Sequence, residues 1–195
     1  SQRYVAKIPA ELNIHLIAKH LDCNEFALLL IVFANLITDK VQKSEVVIAL
    51  PFSGQLSHGF LNTAGPCLSR FPYHHNKSDD FKIQLENLKI QRENMVEYPY
   101  LDESIVFPNG EFGDVVFNYE KTSNFKGFSK CNLEYTPIFQ ESMDKDIFWN
   151  IIKTDEEYVI EADYNLSVFT EIDILNLVNS YLNQIKDLAV PIAKF

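Results

Sequence analysis

The sequence predicts an α/β fold, a two-layer sandwich in which helices cover a mixed β-sheet. Two helical patterns lie near the N-terminus, a third lies in mid-chain and a fourth closes the chain. Short runs rich in β-branched and aromatic residues lie between them, and most of these runs follow one another directly. Helices mixed with a largely sequential set of strands favour a sheet that is covered on one face.

The first two predicted helices are residues 9–21 and 25–38. Pro9 suits the first turn of the first helix, and Asn24 is placed to cap the second. The apolar stripe of the first helix consists of Leu12, Leu16, Ile17 and Leu21. His20 lies beside that stripe and is interpreted as a boundary residue, because no partner for a ligand site is in register. The second helix is apolar nearly all round, so we expect it at the centre of the fold.

Residues 45–51 are predicted as a buried strand, because β-branched and aliphatic residues run up to a proline. A turn at Ser53-Gly54 follows, and a second strand-like run begins at Gly65-Pro66. Two strands on either side of a glycine-containing loop are suited to form the wall of a ligand channel. The alternative, which composition alone favours, is an ordinary strand-loop-strand connection.

A mid-chain helix is predicted to open at Asp79 or Asp80 and to end at 98–100, where a proline disfavours a preceding helical residue. A short helical turn over 101–107 and a Pro-Asn-Gly turn at 108–110 follow it.

Four strands and a closing helix are predicted after these turns. The strands are residues 113–120, 131–139, 147–152 and 157–164. The second of them is expected near a sheet edge because Pro137 cannot donate a ladder hydrogen bond, and the last two form a hairpin. The closing helix begins at Thr170, and Asp173 completes a capping-box pattern.

Composition limits the function classes. A chain of 195 residues is expected to form a single domain over 1–195. Its 17 basic and 27 acidic residues give a net charge of −10, which disfavours nucleic acid and membrane surfaces as partners. The three cysteines, Cys23, Cys67 and Cys131, lack C-x-x-C spacing and indicate reduced thiols in a cytoplasmic protein.

No targeting or membrane-spanning segment is predicted. The N-terminus lacks the apolar core of a signal peptide. The most apolar stretch, Phe26 to Ile37, covers 12 residues, which is shorter than the about 20 that a membrane helix requires.

One short pattern imitates a catalytic motif. His74 to Asp80 spells H-H-x-x-x-D-D, close to an acyltransferase sequence, H-H-x-x-x-D-G, in which the second histidine is a general base. The final glycine is missing, and Asp79 and Asp80 are better explained as the cap of the next helix. We therefore interpret His74 and His75 as exposed residues of a strand-to-helix turn and predict no catalytic residue.

Other familiar site motifs are absent from the sequence. Ser53 does not lie in a G-x-S-x-G elbow, and no phosphate-binding or dinucleotide glycine pattern occurs. The histidines and cysteines lack zinc spacing, so no metal site is predicted.

Read as a whole, the chain resembles the C-terminal half of a condensation domain of nonribosomal peptide synthetases, in the chloramphenicol-acetyltransferase-like superfamily. The family's opening LP-x-x-L helix is matched by IPAEL, and its V-V-I-G-x-P-x-S-G-R strand by VVIALPFSGQ. In the family nine residues separate that strand from a G-x-F-V-N-T-L-P run, and here nine residues, 56–64, separate Gln55 from GPCLSRFP. VEYPY and GDVVFNYE match two later segments in the same order.

This resemblance implies a half-domain that helps to join an acyl or peptidyl thioester to an amine held on phosphopantetheinylated carrier proteins. It implies a carrier protein and an N-terminal condensation half as partners, with the histidine base on that missing half. No cofactor is expected to bind this chain directly, because the carrier protein presents the phosphopantetheine. The residues that the resemblance assigns to the substrate channel are Ser53, Gly54, Gln55, Gly65, Pro66 and Ser69.

The chain departs from the family at polar channel positions. Gln55 stands where the family has an arginine, and Ser69-Arg70 stand where it has an Asn-Thr pair. Loss of a bidentate arginine favours an alternative, a non-catalytic condensation-like module that binds a carrier protein or a partner domain.

Overall fold

The computed structural model describes residues 1–53, 68–77, 79–97, 113–122 and 143–189. Six strands lie within these ranges: β1 (Gln2–Ile8), β2 (Glu45–Ser53), β3 (Leu68–Asn76), β4 (Val115–Lys121), β5 (Ile147–Lys153) and β6 (Tyr158–Tyr164). The helices are α1 (Ile14–His20), α2 (Glu25–Val41), α3 (Phe81–Glu97) and α4 (Glu171–Ala189).

The six strands form one mixed sheet with the order β1-β6-β5-β4-β2-β3. Strand β4 is parallel to both β2 and β5, and the other neighbouring strands are antiparallel. Side chains from the helix-facing side of the sheet join α2 and α4 in one apolar core, which includes Ile48, Phe117, Trp149 and Ile160. The predicted α/β class, with a mixed sheet and helices packed on it, is confirmed.

Helix α2 lies at the centre of this core, as its sequence predicts. Its side chains from Ala27 to Ala34 are all between 0% and 6% exposed. Phe33 stacks on Trp149 with ring centroids 5.1 Å apart, which joins the helix to the sheet. The Tyr181 hydroxyl of α4 donates to the carbonyl of Leu29, 3.0 Å away, and so links the two central helices.

The predicted helix caps at Asn24 and Thr170 are confirmed. The Asn24 Oδ1 accepts from the Ala27 amide at 2.8 Å. The Asp173 amide donates to the Thr170 hydroxyl oxygen, and the Asp173 carboxylate accepts from the Thr170 amide, so the capping box is closed in both directions. At α3, Asp80 is the capping residue, since its Oδ1 accepts from the Ile83 amide.

The N-terminal region was predicted incompletely. Residues 2–8, which received no assignment from sequence, form strand β1 at one edge of the sheet. The predicted helix 9–21 is a 3₁₀ turn, Ala10–Leu12, followed by α1, because Asn13 adopts a left-handed conformation with φ of 35°. The break changes the helical register, and Leu16, predicted to be on the apolar face, is 46% exposed.

Other strand predictions agree with the structure within a few residues. The hairpin of 147–152 and 157–164 corresponds to β5 and β6, which pair antiparallel along their full length. The predicted strand at 131–139 and the predicted turns over 98–110 lie outside the described residues.

In the described part of the chain no single helix is both long and apolar enough to cross a membrane. One bent pair, residues 10–20 with 25–41, meets the length and composition criteria only when its two members are combined across a 103° bend.

We predict different effects on stability when the hydroxyl is removed from two equally buried tyrosines. Tyr181→Phe leaves the Leu29 carbonyl without its inter-helix donor, so the free energy of unfolding should fall by about 1 kcal/mol. The Tyr164 hydroxyl has no hydrogen-bond partner among the described residues, so Tyr164→Phe should be neutral or stabilising. Urea denaturation of both variants measures the difference, and equal losses would contradict this account of the core.

Candidate functional site

The structure describes two of the six predicted channel residues, Ser53 and Ser69. They lie at the open end of the β2–β3 ribbon, where Ser53 pairs with Leu68 and Ser69 pairs with Phe52. Because side chains alternate along a strand, Ser69 lies on the helix-covered face and Ser53 on the opposite face. Gly54, Gln55, Gly65 and Pro66 lie outside the described residues, so the channel assignment stays a prediction.

The face of the sheet opposite the helices, called here the helix-free face, carries a row of interacting polar side chains. Arg3 on β1 holds Asp163 on β6 through two hydrogen bonds of 2.6 and 2.7 Å. The third guanidinium nitrogen, Nη1, lies 3.4 Å from Glu161 Oε2. Next along the row, Asn118 donates to Asn150 at 3.0 Å. No helix of the described ranges packs against this row, since the helices lie on the other face or beside β3.

Glu161 is the most buried carboxylate of this row, with 7% of its surface exposed. Burial raises its pKa, and the nearby charges of Asp163 and Glu120 act in the same direction, while Arg3 opposes them. The helix-free face therefore carries a nearly buried carboxylate whose pKa is raised above its ordinary value.

A second feature of the helix-free face is a small apolar cluster beside the polar row. It is centred on Ala49 and Val116, which are 0% and 2% exposed, with Val47 and Phe148 packed against them. These residues come from β2, β4 and β5, so the cluster crosses the middle of the sheet.

Arg70, at a position where the resembled family has a different residue, extends from β3 to the segment before β4. Its guanidinium contacts Gly113, whose φ is +102°. A Cβ atom at this glycine would lie 2.7 Å from Arg70 Nη1, closer than real contacts allow, and 3.7 Å from Lys145 Nζ. Glycine is therefore favoured here by its backbone conformation, and a larger residue would also have to displace the end of the Arg70 side chain.

The prediction that both histidines of the H-H-x-x-x-D-D pattern are exposed is wrong for His75. Both lie in strand β3, and His75 is only 2% exposed. Its Nε2 donates to Asn35 Oδ1 at 2.8 Å, and its Nδ1 accepts from the Tyr73 hydroxyl at 3.0 Å. Burial lowers the pKa of His75 to about 4, so the ring is neutral at pH 7. With both nitrogens engaged inside the protein, His75 is unsuited to act as a general base on a substrate.

An open groove of about 2060 Å³ lies between the α1–α2 connection, α3 and the end of β4. His15, Cys23, Phe26, Arg92 and Tyr119 line it. Burial, with help from Asp22, raises the pKa of Cys23 to about 11, so the thiol is protonated at pH 7 and is a poor nucleophile.

At one end of the groove, the first residue of α2 carries a carboxylate with several donors. Lys153 Nζ contacts both oxygens of Glu25 at 2.7 and 2.8 Å, the Tyr119 hydroxyl donates at 2.8 Å, and His15 Nδ1 lies 3.1 Å away. Burial acts to raise the pKa of Glu25, but these hydrogen bonds and one from Tyr158 outweigh it and lower the pKa to about 2. This cluster joins α1, α2 and three strands.

Within the described ranges, no three His, Cys, Asp or Glu side chains are grouped so that they could hold a metal ion. The polar row of the helix-free face was not found from sequence. The alternation of Glu161 and Asp163 with apolar residues was visible in the predicted hairpin, but their partner Arg3 lies 160 positions away from Asp163 in a strand that received no assignment.

The neutral His75 predicts a specific pH dependence of stability. Its pKa falls from 6.5 to about 4 on folding, so the unfolded chain binds the proton first as the pH decreases. The resulting stability is complete above pH 6.5 and is lost as the pH falls towards 4, which amounts to about 2 kcal/mol between pH 7 and 5. His75→Gln should flatten this part of the curve. Urea denaturation at both pH values tests it, and equal slopes in the two proteins would contradict the assignment.

The Glu25 cluster predicts a second loss of stability, at a lower pH. Glu25→Gln leaves Lys153 without its anionic partner, so the free energy of unfolding at pH 7 should fall by about 2 kcal/mol or more. Because folding lowers the pKa of Glu25 from 4.5 to about 2, this contribution disappears as the pH falls through that range. The matched control is His15→Ala, whose side chain is 78% exposed and should cost much less. Similar losses in both variants at pH 7 would show that the pair with Lys153 is not the main contact.

No family model matches the sequence. Among solved structures, the chain is similar to the condensation domain from the monacolin K polyketide synthase MokA, with a TM-score of 0.78 and 11% identity over 97% of this chain and 47% of that one. It is similar to the first condensation domain of the calcium-dependent antibiotic synthetase, with a TM-score of 0.72 and 14% identity over 96% and 45%. The epimerization domain from the third module of tyrocidine synthetase B gives a TM-score of 0.65 and 19% identity over 97% and 49%.

These similarities cover nearly all of this chain, while the chain spans less than half the length of the structures it matches. At such low identities these similarities establish the fold only. They do not identify the reaction, because an epimerization domain has the same fold. The coverage is that of a half-domain, which agrees with the C-terminal half that the sequence motifs indicate. The chain has the fold of one half of a condensation domain of the nonribosomal peptide and polyketide synthetase type.

Proposed function

We propose that this chain supplies the C-terminal half of a nonribosomal peptide synthetase condensation domain. In this role it forms one wall of the channel in which an amine attacks a carrier-bound acyl or peptidyl thioester. The observation that carries the proposal is the match of 95–97% of the chain to structures of which it covers 40–49%, together with the order of the sequence motifs. The proposed channel wall is the end of the β2–β3 ribbon together with the residues that follow Ser53 in the sequence.

The proposal assigns the general base to the N-terminal half. Among the described residues, the nucleophile and base candidates of this chain are poorly suited to the reaction, because His75 is buried and engaged and Cys23 is protonated. The base on the other half would accept the proton of the attacking amine, the amide bond would form, and the phosphopantetheine thiol would leave. This chain then contributes by forming the channel wall and by positioning the substrates.

The partners that follow are an N-terminal condensation half and a carrier protein that presents phosphopantetheine. Both fit a chain that has half of a two-half fold. The acidic chain, with its net charge of −10, fits neither a nucleic acid nor an anionic membrane.

A second candidate is a non-catalytic module that keeps the fold and binds a carrier protein or partner domain. The substitution pattern favours it: Gln55 replaces an arginine of the family pattern, and Ser69-Arg70 replace its Asn-Thr pair. The coding sequence upstream of Ser1 discriminates the two. An in-frame H-H-x-x-x-D-G about one half-domain upstream supports the enzyme, and a start codon near Ser1 with no separate N-terminal half supports the module.

We predict that the isolated 195-residue chain makes no amide from carrier-bound acyl and aminoacyl substrates, and that adding the N-terminal half restores product. Mass spectrometry of the carrier-bound product measures this. Replacing the second histidine of the N-terminal motif with alanine should remove all product, whereas His75→Gln in this chain should not.

Two results would change the proposal. Turnover by the isolated chain that His75→Gln abolishes would show that the H-H-x-x-x-D-D pattern is catalytic. Binding of the carrier protein to both halves together, without any product, would favour the non-catalytic module.

A further inference from the structure

Helix α3 is attached to the rest of the fold in a different way from the other long helices. Of its 17 residues only Gln84, Leu88 and Met95 are buried. Helix α4, of similar length, buries five large apolar residues, namely Ile174, Leu177, Val178, Tyr181 and Ile185. Since apolar burial is the main source of helix docking energy, α3 is held far more weakly than α4.

Two glutamine amides replace much of the missing apolar contact. Gln91 accepts a hydrogen bond from the His74 amide and donates one to the His74 carbonyl, both at 2.8 Å. Gln84 exchanges hydrogen bonds of 3.2 and 3.3 Å with Asn35 of α2, and donates to the carbonyl of Asp79 at 3.0 Å.

The Gln91 contact lies at the outer edge of the sheet. Strand β3 is the last strand in the described sheet order, and its only strand partner there is β2. The amide and carbonyl of His74 point away from β2, and the Gln91 side chain pairs with them as a neighbouring strand would.

We propose that α3 is a detachable cover of the sheet edge, which opens as a unit while the sheet, α2 and α4 stay folded. Its opening exposes the His74 amide and carbonyl and widens the groove, because α3 forms one wall of that groove. The hydrogen bonds of the Gln84 and Gln91 amides, called here the clasp, hold α3 in the closed position. Opening exposes Leu88 and Met95 and the partly buried Phe81 and Leu85, which is a smaller apolar surface than α4 covers, and this difference allows α3 to open before the core does.

Native-state hydrogen exchange on the protein carrying the full sequence tests this proposal. The amides of 81–97 should exchange through an opening with a small urea dependence, whereas the buried amides of α4 should exchange only with global unfolding and its full urea dependence. Equal rates and equal urea dependence in α3 and α4 would overturn it.

Two variants distinguish the loss of the clasp from a general loss of stability. Gln91→Ala should speed exchange in α3 about tenfold and leave α4 unchanged, because two hydrogen bonds to one backbone position are lost. Lys89→Ala, an exposed position of the same helix with similar helix propensity, is the matched control and should leave both helices unchanged. Acceleration of α3 and α4 by the same factor in Gln91→Ala would show that α3 is part of the global folding unit and would refute the cover.

Discussion

The burial of α2 is the constraint on which the rest of the structure depends. A helix that is apolar nearly all round has to be enclosed on every side, and the fold encloses it with the sheet, α1, α3 and α4. Aromatic rings of β4 and β5 pack on Phe33. Tyr181 of α4, whose ring also contacts Trp149, donates to a carbonyl of the same helix. With the described helices collected around α2, the opposite face of the sheet carries, among the described residues, the polar row and the small apolar cluster of Ala49 and Val116.

Two polar residues of α2, Glu25 and Asn35, determine how several neighbouring elements attach to this helix. Glu25 at its first turn collects a lysine, two tyrosines and a histidine, which fixes one end of the sheet against the helix. Asn35, on the flank of the same helix, receives His75 and Gln84 and so determines how β3 and α3 attach. Buried polar groups of this kind must be paired, and pairing them specifies which neighbour lies where. The edge of the sheet that α3 covers is therefore positioned by a side chain of the central helix.

Local signals predicted the parts of the fold that depend on nearby residues. The apolar run of α2, the hairpin β5–β6 and the caps at Asn24 and Thr170 each lie within one short stretch of sequence, and each is confirmed. Strand β1 was missed because its evidence is its partner β6, far along the chain. His75 was placed in the wrong environment for the same reason, since its partner Asn35 lies 40 positions away in the sequence, on α2. Of the candidate channel, sequence spacing predicted the ribbon, but the opposite orientations of Ser53 and Ser69 follow only from the register with β2.

The central claim, that this chain is one half of a two-half condensation fold, is tested most directly by a structure of the chain bound to an N-terminal condensation half. The account predicts a one-to-one complex in which the open end of the β2–β3 ribbon, with Ser53 and Ser69, borders the cleft between the halves. It also predicts that the described sheet order is unchanged in the complex. A chain that does not bind the N-terminal half, or that binds it through α4 with the ribbon end facing away from the cleft, would contradict the account.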